Sequence, residues 1–229
     1  MFGVPEAELG ALKLAAVAGI NSADGFLVDV TSVSGLEDYS RNAHGQALAV
    51  HRFDRKTNDL RVHMEELAQI IDIPTAKQDA KYRMANFEMV ATLISGLVGV
   101  ESVGEVVDRI VLNVLIGNGD AHLKNWAVVY NDGRTPTLAP AYDLVPTVLY
   151  LPDDNLGLNL AKSKSFSDVT AYSFEGIGRR TGYGASEARR RAVDAVARIM
   201  DQQKTFTHYL SKDALSRLRN HHSTLPLLK

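Results

Sequence analysis

Near the start of the chain, Leu9, Leu12, Ala16 and Ile20 recur at helical spacing and Pro5 suits a first turn. The pattern predicts a helix over about 8–20 that ends near Gly19. Residues 26–33 (FLVDVTSV) and 46–53 (QALAVHRF) are short, β-rich and separated by a Gly/Asn/Ser segment, which predicts two strands. After Phe53 the charged turn DRKTND marks a boundary, and the stretch up to residue 117 reads as mostly helical. Phe87, Val90, Ala91, Ile94 and Val98 form one apolar stripe there, and Val107, Ile110, Val111, Val114 and Leu115 form a second. Both predict core helices. The second stops at Gly117-Asn118-Gly119, a polar loop DAHLKN leads into WAVVY, and NDG turns the chain back into TPTLAP. Residues 126–130 and 135–139 are therefore expected to form a hairpin. Beyond Asp143 lies a loop around PDDN, then helices near 171–180, 186–203 and 212–221. No internal repeat interrupts this order.

Composition narrows the classes. With 229 residues and 45% hydrophobic content, the chain can bury a sizeable core. A net charge of −2 provides no global field for a polyanion, so direct nucleic-acid binding is not expected. The absence of cysteine excludes disulfides, thiolate zinc sites and a cysteine nucleophile, which fits the cytoplasm. No apolar run suggests a membrane span, and the N-terminus lacks the pattern of a signal peptide.

The chemistry concentrates in 111–143, where a buried helix delivers Asp120, His122 and Asn125 on one glycine-flanked loop and the hairpin returns Asp143. Phosphoryl transfer needs a carboxylate beside the attacking hydroxyl and hard oxygen ligands for magnesium. In protein kinases the catalytic Asp precedes a metal-binding Asn by five positions, and a second metal-binding Asp follows. Asp120 and Asn125 have that spacing, and Asp143 follows. The histidine, however, stands two residues after the Asp. Each residue also has a plainer reading: Asp120 as a turn former, His122 as a hydrogen-bonding strut, Phe53 as core packing, Glu8 as a charge at a helix start, and Lys124 as a solvated charge. Arg189, Arg190 and Arg191 read as the solvent face of a helix, and the Ser-Thr-Leu-Pro that follows His221 and His222 as a fraying tail.

The Asp-x-His-x-x-Asn order resembles the loops of phosphoinositide kinases, aminoglycoside phosphotransferases and the HipA family of bacterial serine/threonine kinases. NVLIGNGDAHLKNW, LAPAYDL, LAVHRFDR at 48–55, and RVHMEELAQIIDIP from Arg61 with KYR at 81–83 together single out the HipA family. The resemblance implies an α+β, protein-kinase-like fold. Residues 1–53 would be a remnant of the N-lobe (helix plus strands to a hinge), and 54–229 a helical C-lobe with the catalytic loop at 117–126. It implies that Asp120 accepts the substrate hydroxyl proton and that His122 shapes the loop, the two forming the catalytic set. It assigns magnesium to Asn125 and Asp143 against the nucleotide phosphates. It also implies an adenine hinge along His51 to Phe53, with Phe53 against the ring and Asp54 as a further nucleotide contact. Glu8 aligns with the glutamate that steadies the phosphate-binding lysine. ATP and magnesium are the implied cofactors, and a protein serine or threonine the implied acceptor. The implied setting is a toxin–antitoxin pair with a small DNA-binding antitoxin, acting on components of translation.

The family's glycine-rich loop and its lysine do not occur in this sequence before the helix bearing Glu8. The expectation is therefore a fragment, or a split kinase completed by a separate N-lobe chain, that acts weakly by itself. A pseudokinase serving as a binding module is the alternative. A metal-dependent hydrolase built on Asp120, His122 and Asp143 would need more histidine ligands than the loop offers.

Overall fold

The computed structural model describes residues 3–35, 45–57, 60–74 and 79–229. Residues 36–44, between the two predicted strands, and Asn58 and Asp59 of the charged turn lie outside the described residues.

Helix α1 (Val4–Val17) begins with Pro5 in its first turn and buries Ala7, Ala11, Leu12 and Ala15. It ends two residues before the predicted stop, and Ile20 folds back so that its N–H reaches the Ala15 carbonyl at 2.9 Å. Strands β1 (Gly25–Asp29) and β2 (Gln46–Val50) pair antiparallel, Gly25 opposite Val50. Both are shorter than the sequence pattern suggests. Asp29 stops the first by accepting from Thr31 N–H at 2.8 Å, and the second runs into a turn held by Asp54.

The stretch after Phe53 departs from the helical expectation. Val62 and Met64 alternate with polar neighbours, and His63–Glu66 forms β3, which pairs antiparallel with β4 (Ala127–Tyr130). With β5 (Thr137–Leu138) the expected hairpin becomes a three-stranded sheet in the order β3-β4-β5. Phe53, Met64 and Tyr142 pack on its small core of Val62, Ala127, Val129 and Ala139. The short helices α2 (Leu67–Ile70) and α3 (Ala80–Arg83) follow β3.

The two apolar stripes form α4 (Phe87–Val98) and α5 (Val103–Ile116). Asn86 caps α4 by accepting from Met89 N–H at 2.8 Å. Every residue of α5 except Glu105 is buried. Each large apolar side chain so covered contributes about 1.5–3 kcal/mol. Helices α6 (Glu175–Thr181), α7 (Ala185–Asp201) and α8 (Lys212–Thr224) complete the helical body, with α7 packed on both α5 and α6. α1 belongs to the same core as these helices. Among the described residues, no helix is long and apolar enough to cross a membrane.

Two surface readings are corrected. Arg191 is more than a solvated charge: its Nε and Nη2 lie 2.8 and 2.5 Å from the buried carboxylate of Asp108 on α5, which Arg198 also reaches at 2.7 Å. Arg189 and Arg190 pair with Glu175 and Glu187. The C-terminus does not fray either. Leu225 and Leu227 are buried, and Nε2 of His221 and His222 lies 2.8 and 2.9 Å from the carbonyls of Val114 and Leu115 at the end of α5. A buried anion and helix-end carbonyls call for partners, and these distant polar side chains supply them.

Candidate active site

α5 ends at Gly117, whose backbone is left-handed (φ 67°) and whose missing Cβ leaves room for the Val148 side chain. The exiting loop is then fixed by buried amides. Asn113 donates to Arg109 O at 2.9 Å, Asn118 donates to Asn113 Oδ1 at 2.8 Å, and Asn118 Oδ1 accepts from Asp120 N–H at 3.0 Å. Thr147 adds a second anchor, its hydroxyl accepting from Gly119 N–H at 2.7 Å and contacting the carboxylate of Asp154.

On this frame Asp120 leaves its side chain 46% exposed and accepts a hydrogen bond from the Tyr82 phenol on α3. A carboxylate that is both oriented and reachable can take a proton from a docked hydroxyl. His122 is buried behind it, with Nε2 3.8 Å from Asp120 Oδ1 and 2.6 Å from Lys81 Nζ. Burial, and secondarily Lys81, pushes the imidazole below its ordinary pKa against the opposing pull of Asp120. The His122 backbone N–H donates to Asn125 Oδ1 at 3.0 Å, while the Asn125 amide donates to Asp143.

Asp143 holds a left-handed backbone (φ 57°), which Asp tolerates better than most residues. Burial first, and then the Asp120 charge, raises its carboxyl above the usual range, while the Asn125 amide works in the other direction. Glu8 of α1 belongs to the same electrostatic cluster. Burial and the neighbouring Asp143 push its carboxyl up to about 7.

The hinge residues divide. Phe53 lies beside the site through Tyr142, ring centroids 5.6 Å apart. Asp54 is buried, and its carboxylate is occupied by Arg52 (2.8 and 2.6 Å) and Arg55 (2.5 Å), whose bonds hold it down to about 2. The His51 ring turns outward against Phe26, and the His51 backbone N–H donates to Asp24 O at 2.8 Å. Lys124 is exposed, while its carbonyl accepts from the Tyr142 phenol at 2.6 Å.

Lys81, Tyr82, Asn113 and Asn118 are the site residues that sequence reasoning left without a role. KYR carried only a resemblance, and buried asparagines have no periodic signature. Beside the loop opens a cavity of about 760 Å³ lined by Glu66, Gln69, Asp72, Lys81, Tyr82 and Lys124. Among the described residues, no three His, Cys, Asp or Glu side chains converge as a metal cage. A pair such as Asn125 and Asp143 suits magnesium, which keeps waters and phosphate oxygens in its shell, better than zinc or calcium.

A family model described as HipA-like C-terminal domain matches residues 1–205. A Sinorhizobium fredii protein named "Putative kinase Y4dM" is 40% identical over 169 residues, covering 73% of this chain and 40% of its own length. A second from the same organism, "Putative kinase Y4mE", is 28% identical over 215 residues, covering 87% of this chain and 48% of its own length. The chain thus spans less than half the length of these two relatives. Among solved structures, Shewanella oneidensis HipA, in complex with HipB and operator DNA, superposes with a TM-score of 0.75 at 19% identity, covering 98% of this chain and 55% of that one. The Helicobacter pylori proinflammatory kinase CtkA superposes with a TM-score of 0.60 at 15% identity, over 97% and 84%. At these identities the two structures establish the fold, which is α+β of the kind seen in HipA and CtkA.

Proposed function

The chain belongs to the HipA-like C-terminal domain family, and from that premise we propose that it is the catalytic part of an ATP-dependent serine/threonine protein kinase. The observation that carries this reading is the convergence on one loop of an oriented, reachable Asp120 with Asn125 held against Asp143. Asp120 takes the proton of the acceptor hydroxyl, and His122 serves the loop from behind as a strut. Asn125 and Asp143 hold magnesium. Asn125 now directs its oxygen to His122 N–H and its amide to Asp143, so ligation requires that amide to turn. Bound magnesium would neutralise charge on the phosphate oxygens.

For the nucleotide base, Phe53 supplies an apolar face. Pairing falls to backbone groups of the hinge other than the His51 N–H, which is already used. Asp54 acts as a structural anion that shapes this turn through its arginines. Residues 1–53 serve as an N-lobe remnant and 54–229 as the C-lobe. Glu8, half-buried near Asp143 with its carboxyl raised, is suited to receive a cation. A lysine from a segment or chain outside the described residues fits that place, which favours an enzyme completed by further sequence over a silent binding module. By likeness to HipA solved with HipB, a small DNA-binding antitoxin is the proposed partner, and a cytoplasmic location goes with it.

A phosphotransfer assay with radiolabelled ATP on the complete gene product tests the core of this. Asp120→Ala and Asp143→Ala should each reduce transfer by about 10²-fold or more. Full activity in both would sink the reading. Magnesium-ATP should also raise the melting temperature of the unmodified protein through linkage.

A further inference from the structure

Helix α3 is one turn long, yet two consecutive side chains on it reach the loop. Tyr82 donates its phenol to Oδ1 of Asp120, and Lys81 Nζ lies 2.6 Å from Nε2 of His122. The Tyr82 and His122 rings meet edge to face, centroids 5.1 Å apart, and Lys81 Nζ lies 4.8 Å from the Tyr82 centroid. The four side chains thus form a closed cluster that ties α3 to the loop.

Resting on the phosphotransfer reading above, we propose that Lys81 and Tyr82 are its positioning residues. Tyr82 fixes Asp120 so that Oδ2 meets the acceptor hydroxyl, and Lys81 selects the His122 tautomer that supports the loop.

A carboxylate with both oxygens free turns about its last torsion and presents either one. A phenol has one proton to give, so engaging Oδ1 stops that rotation and leaves Oδ2 free. Burial, followed by the bond to Asp120, raises the Tyr82 phenol above its ordinary pKa, so it remains a donor at neutral pH.

Lys81 acts on the histidine by a different route. An ammonium donates only, so Nε2 of His122 must accept and the proton must sit on Nδ1. Among the described residues buried Nδ1 makes no hydrogen bond, so Lys81 is the contact that selects this form. The His122 backbone N–H donates to Asn125, so the hold on the ring extends to the neighbouring metal-ligand candidate. Both α3 side chains also line the 760 Å³ cavity beside the loop.

Steady-state phosphotransfer by the complete gene product separates this from the base assignment. Tyr82→Phe should lower kcat about 10- to 100-fold while KM for ATP stays within about twofold, as expected when an orienting contact is lost. An unchanged kcat in Tyr82→Phe, with Asp120→Ala inactive, overturns the positioning role and leaves Asp120 as base. Turnover that persists in Asp120→Ala removes the reading on which both rest. A second measurement needs no turnover. Ring-nitrogen NMR should find His122 protonated at Nδ1 in the unmodified protein and shifted to the Nε2-protonated form in Lys81→Met. An identical tautomer in both overturns the part assigned to Lys81.

Discussion

Gly157 lies so close to the loop bearing Asp120 that a Cβ built on it would sit 2.7 Å from the carbonyl oxygen of Ala121 and 2.9 Å from that of Gly119. Both obstacles are backbone and cannot rotate aside. The glycine is therefore required for room, and the loop must move if it is replaced. Gly157→Ala should cost about 1–3 kcal/mol in urea unfolding. It should lower phosphotransfer about 10²-fold, the usual effect of misplacing a reacting group by about 1 Å. Gly96→Ala on α4, with nothing among the described residues within 4 Å of the added methyl, is the control and should be neutral or stabilising.

Glu8 makes the fold sensitive to pH in a defined direction. Its carboxyl is raised from 4.5 to about 7, so between those values the folded chain binds more protons than the unfolded chain. Its contribution to stability is present below pH 4.5 and is lost as pH rises through about 7. Glu8→Gln should remove that slope and stabilise the protein at pH 8 by about 1–3 kcal/mol. Urea titrations of both forms at pH 5 and pH 8 measure it. A variant no more stable than the parent at pH 8 would show that Glu8 is better solvated than its burial indicates.

The candidate loop stood out in the sequence because its residues are local: Asp120, His122 and Asn125 lie within six residues after Gly117 and Gly119, and a predictable helix and hairpin flank them. Its supports did not. Tyr82 meets Asp120 across 38 residues, and Lys81 meets His122 across 41. No periodicity encodes such pairs. Arg191 read as solvent-facing because helical spacing identifies the apolar stripe but cannot reveal that a buried anion, Asp108, waits 83 residues away. β3 was lost for a related reason. The alternation of Val62 and Met64 is two apolar residues long, too brief to outweigh the helix-favouring ELAQII that follows.

The two histidines of α8 extend that point to the C-terminus and carry the last prediction. Each ring caps a carbonyl at the end of α5, directly before the loop that holds Asp120. A protonated imidazole would suit a helix C-terminus, but burial is the larger influence and holds both below their ordinary value of 6.5. The unfolded rings then take up protons before the folded ones, so stability is lost as pH falls below about 6.5. This slope opposes that of Glu8, which gains as pH falls. In Glu8→Gln the histidine slope should stand alone. Hydrogen exchange at pH 5.5 against pH 7.5 should show faster opening in α8 and the last turn of α5, with α4 unchanged. His221→Gln with His222→Gln, which keeps a donor at each ring position without the titration, should abolish the difference. Equal protection of α8 at both pH values in the parent would refute the capping role.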